Sequence, residues 1–169
     1  MHAFVEALRD VLIGDPTNRY LMPAYYMSLM AMLTLAWLVW QLHFYLRYRK
    51  PAGPQPETPQ DYRERTDTCW SILGQMTHAA ALMIVWIAAA CVVLDIRAGM
   101  RADTLTDIAY LGTQFGVPTR ADLQADIRAY HLVSNLFLAM HVVCILTTIP
   151  LAYAYMHLMR RRDDLTTAS

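Results

Sequence analysis

The chain has 169 residues, enough for one domain, and balances 14 Lys and Arg against 14 Asp and Glu for a formal net charge of +0. With 56% hydrophobic and 17% charged residues and a mean hydropathy of +0.25, it is more apolar than a soluble domain, where about a quarter of residues are charged. Neutrality removes any electrostatic basis for nucleic-acid binding, and the composition predicts an all-α integral membrane protein with the lipid bilayer as its solvent.

Residues 1–19 form an amphipathic N-terminal segment. Phe4, Val5, Leu8, Val11 and Leu12 recur at helical spacing with Glu6, Arg9 and Asp10 between them, which predicts a short helix stopping at Gly14. Glu6 and Asp10 are unlike the basic stretch that opens a secretory signal. Asp15-Pro16 has the pattern of an N-cap followed by proline at the first helical position.

The first transmembrane helix is expected over 20–48. Its run from Leu21 to Trp40 carries no charge and matches the ~20 residues that cross a bilayer core. Pro23 stands near its start, and Tyr20, Tyr25 and Tyr26 at one end face Trp40, Tyr45 and Tyr48 at the other, as interfacial belts do. Residues 49–69, with Pro51, Pro54, Pro56 and Pro59, are expected to be a polar linker. A second span follows over 70–95, uncharged from Trp70 to Leu94.

Residues 96–130 are expected to be an extracytoplasmic loop holding one short helix, Asp103 to Phe115, ended by Gly116. Thr119 and Asp122 after Pro118 resemble a capping box whose helix continues into the third span, 131–158, which is followed by a basic tail, 159–169. Arg47, Arg49, Lys50, Arg63 and Arg65 cluster with Arg160, Arg161 and Arg162 at one set of span ends, whereas Arg9, Arg19, Arg97, Arg101, Arg120 and Arg128 are interspersed with acids. The positive-inside rule then places the N-terminus outside and the linker and C-terminus in the cytoplasm, in a bacterial inner membrane.

Polar groups within the spans carry whatever chemistry there is. Ser134, His141, Thr148 and Tyr155 recur every seven residues on one stripe of the third span, with Asn135 beside it. Gly74, His78, Ala81 and Ala88 share a face of the second. Such small and polar stripes let membrane helices pack closely, so Gly74, Ala81, Ala88, Ser134, Asn135 and Thr148 are expected packing residues.

The alternative is a cofactor site at His78, His141 or His43, holding haem b or a quinone as respiratory membrane anchors do. Helical rise places His78 about 12 Å and His141 about 21 Å above the cytoplasmic edge, and a mismatch of about 9 Å argues against one haem shared by both. His78 is nearer in depth to Thr148. At the outer end, Asp126 and His131 would be the start of a metal site, but two ligands do not close one.

Cys69, Cys91 and Cys144 are isolated core residues without a CxxC motif. The sequence holds no GxGxxG, P-loop, HExxH or GxSxG. The leading expectation is therefore a non-catalytic subunit of a multi-subunit membrane complex (respiratory, secretion or photosynthetic) with other membrane subunits as partners and no cofactor. Eleven methionines suit such adaptable packing. A redox anchor and a homo-oligomeric channel lined by Ser134, His141 and Thr148 are the alternatives.

Overall fold

The computed structural model describes residues 1–14, 21–50, 58–116 and 121–167, the last seven of these by their backbone alone. Helices are the regular elements among them: α1 (His2–Ile13), α2 (Leu21–Tyr48), α3 (Pro59–Gln114) and α4 (Ala121–Thr167). Three of these, α2, α3 and α4, are long and apolar enough to cross a membrane. The Asp15-Pro16 start signal, the prolines at 51, 54 and 56, the Pro118-Thr119 cap and the side chains of Arg161 and Arg162 lie outside what is described.

Local chemistry explains the ends. Gly14 follows α1 and its N–H caps Asp10 O. Pro23 falls in the first turn of α2, where a missing N–H breaks no intrahelical bond. α3 begins on a reciprocal capping box: the Thr58 hydroxyl accepts from the Asp61 N–H (3.1 Å), and the Asp61 carboxylate accepts from the Thr58 N–H (3.2 Å). Pro59 occupies the first helical position, which suits its fixed φ.

Three sequence expectations are corrected. The linker 49–69 ends early, because the cap at Thr58 starts α3 at Pro59. Residues 96–114 of the expected loop are not a loop with a separate short helix: α3 continues without interruption from the second span through residues 95–102 to Gln114. The polar residues there suggested a loop, yet Leu94, Ala98 and Ala102 are buried at four-residue spacing, and Asp95, Arg97 and Arg101 have partners on other helices. The tail 159–169 is likewise helical as far as Thr167. α4 tolerates Pro150 within its length.

The chain divides into two compact units. The first comprises residues 1–29 and 86–144. Its core is Ala7 and Val11 of α1, Ala24 of α2, Cys91, Leu94 and Ala98 of α3, and Ala129, Val133 and Phe137 of α4. The alanines and Cys91 let four helical segments approach closely. The second comprises residues 30–85 and 145–169, where Ala31, Ile72, Gly74 and Ala79 are buried.

Candidate functional site

In the second unit α2, α3 and α4 surround a cavity of about 300 Å³ lined by Trp37, Ser71, Gly74, Gln75, His78 and Tyr155. Ser71, Gln75 and His78 share one side of α3 through three- and four-residue steps. The rings of His78 and Tyr155 lie 6.0 Å apart. Gln41 Nε2 donates to Gln75 Oε1 at 2.8 Å, which occupies the amide oxygen and leaves the Gln75 NH2 group to donate. Gly74 is buried, and a Cβ built on it would meet nothing within 4 Å. The cavity's side chains are hydrogen-bonding groups, aromatic faces and Met159, with no Asp, Glu, Lys or Arg among them.

The first unit holds a polar junction of a different kind. Arg97, 2% exposed, donates from Nη2 to Asp10 O at 2.8 Å. The Asp10 carboxylate accepts from Tyr130 OH at 2.8 Å and stands 3.5 Å from Arg101 Nε. Asp10 thus ties α1 to α3 and α4 at once, and the Arg97 guanidinium meets the carbonyl end of α1, where the helix dipole favours a cation. The Nε and Nη1 atoms of Arg97 are buried without a hydrogen-bond partner. Tyr25 OH, from α2, donates to Leu12 O at 2.7 Å. Gly14 is required by this crowding: a Cβ there would lie 2.3 Å from Asp10 O and 2.5 Å from Arg97 Nη2.

The expected site residues distribute between the units. His78 belongs to the second and neighbours Tyr155, one heptad beyond the Thr148 that its depth suggested. His141 belongs to the first and contacts Ala88 O through Nδ1 at 3.2 Å, which assigns the proton to that nitrogen because a carbonyl can only accept. Each histidine therefore has its own neighbour. His43 is exposed on α2 beside Phe44.

Of the packing residues, Gly74 and Ala88 are buried, Ala81, Ser134 and Thr148 half-buried, and Asn135 exposed. Ser134 donates to the Asp95 carboxylate, and Thr148 to Ile145 O of its own helix. Asp126 is half-buried and His131 exposed; among the described residues no group of three His, Cys, Asp or Glu side chains could hold a metal ion.

Sequence reasoning missed Asp10, Asp95, Arg97 and Tyr130, whose partners lie far along the chain. It also missed Trp37, on another helix, and Ser71 and Gln75, for which the signal was present: Gln75 and Ser71 stand three and seven residues before His78, on the same side of one helix. Comparison with protein-family models, with curated proteins and with solved structures finds no match to this chain.

Proposed function

We propose that this chain is a multi-pass protein of a bacterial inner membrane and works there as a non-catalytic subunit of a larger membrane assembly. The observation that supports this most is the bareness of α2: 6% of its apolar span is buried by the rest of the chain, against 28% in α3. Met32, Leu33, Val39 and Trp40 all point away from the protein's own helices, and a helix this sparsely packed is suited to a second protein as well as to lipid. Basic residues at the Tyr48 end of α2 and the Pro59 end of α3, with Arg160 on α4, support a cytoplasmic linker and C-terminus.

The assembly reading is preferred to a channel lined by Ser134, His141 and Thr148. Those side chains already engage Asp95, Ala88 and Ile145 of the same chain. Site-specific photo-crosslinkers at Met32 and Trp40, activated in native membranes, test the proposal. The same foreign membrane protein should be captured from both positions and should co-purify in fixed stoichiometry with the untreated chain. Adducts with lipid alone would refute it.

A further inference from the structure

We propose that the cavity bounded by Trp37, Ser71, Gln75, His78 and Tyr155 binds the ring of a quinone-class lipid, with the tail leaving into the bilayer. The inference is independent of whether the chain joins an assembly. Its first support is unsatisfied polarity. Among the described residues, Ser71 Oγ, the His78 nitrogens and Tyr155 OH have no hydrogen-bond partner in the protein, and Gln75 uses only its amide oxygen. Ser71 stands about 6 Å and His78 about 16 Å beyond Asp67, the last charge before the apolar run, by helical rise. At the depth of His78 water is scarce and an unpaired polar group is costly, so a ligand bringing acceptor oxygens to it would meet the donors of Ser71 and Tyr155, nearer the span ends, as well.

The second support is shape. Trp37 of α2 and Tyr155 of α4 offer flat aromatic surfaces, Gly74 forms a floor without a side chain, and about 300 Å³ lies between them, at the small end of ligand pockets. Trp37, Gln75 and His78 are exposed while Gly74 is buried, and they stand on helices long and apolar enough to cross a membrane, so an opening between them would face the medium in which a quinone dissolves. The third is charge. A phospholipid phosphate seeks Arg or Lys, and neither lines the cavity. A neutral ring with two carbonyl oxygens fits donors from Ser71, Gln75, His78 and Tyr155.

The test uses the full chain in phosphatidylethanolamine–phosphatidylglycerol nanodiscs and a photoreactive azido derivative of decyl-benzoquinone, with labelled residues mapped by mass spectrometry. Labelling should concentrate on the 71–78 segment and around Tyr155, and excess unlabelled decyl-benzoquinone should suppress it. Gly74→Leu should fill the cavity at a position where the fold leaves room. It and His78→Phe should each lower labelling about tenfold, the scale of one lost hydrogen bond or a blocked pocket. His141→Phe should leave labelling unchanged. Should Gly74→Leu lose helix content, Gln75→Leu, at an exposed position, takes its place. Labelling spread along the exposed helix faces, or insensitive to both the competitor and the cavity variants, would overturn the proposal. So would a phospholipid retained in the cavity that the quinone does not displace.

Discussion

Asp10 uses its carbonyl and its carboxylate at the same time, one for Arg97 and the other for Tyr130 and Arg101. The crowding around it makes Gly14 sensitive to substitution. Gly14→Ala forces a methyl group against Asp10 O, and overpacking of this kind destabilises by about 1–3 kcal/mol. Hydrogen exchange should show α1 amides losing protection while those of α4 keep theirs. Ser134→Ala removes a charge-assisted hydrogen bond to Asp95, worth about 1.5–3 kcal/mol, and thermal unfolding in detergent should show the loss. A double-mutant cycle with Asp95→Asn should reveal coupling between the two.

These contacts were not legible beforehand. Asp10 lies 87 residues from Arg97 and 120 from Tyr130, and nothing local in the sequence announces a pairing at that separation. The stripe on α4 was legible, because seven-residue spacing is a local property. Ser134, His141, Thr148 and Tyr155 are all half-buried.

Among the elements, α3 departs most from expectation. In sequence, charge reads as the mark of a loop, but Asp95, Arg97 and Arg101 are charged residues with partners, on a helix whose Leu94, Ala98 and Ala102 stay inside. Tertiary contacts overrode composition. Spin labels at Ile96 and Leu111, both exposed, should give one narrow distance of about 22 Å, as 15 steps of continuous helix require. A broad distribution would restore the loop. At the other end of α3, Thr58→Ala removes the capping box and should destabilise the first turn by about 1 kcal/mol, seen as faster amide exchange around Asp61 with the apolar run unaffected. That cap was legible as a Thr-Pro-x-Asp pattern, but the neighbouring prolines suggested a longer linker.

For the whole molecule, the apolar runs disclosed the fold class because a bilayer demands about 20 uncharged residues per crossing. The cavity was half legible: the histidine stood out, but its neighbours on α2 and α4 depend on how the helices pack. The assembly proposal belongs to this scale, and native mass spectrometry of the chain released from its own membrane tests it most directly. The account predicts a particle heavier than 19.3 kDa that contains foreign membrane chains in fixed ratio. A bare monomer, or only multiples of this one chain, would contradict it.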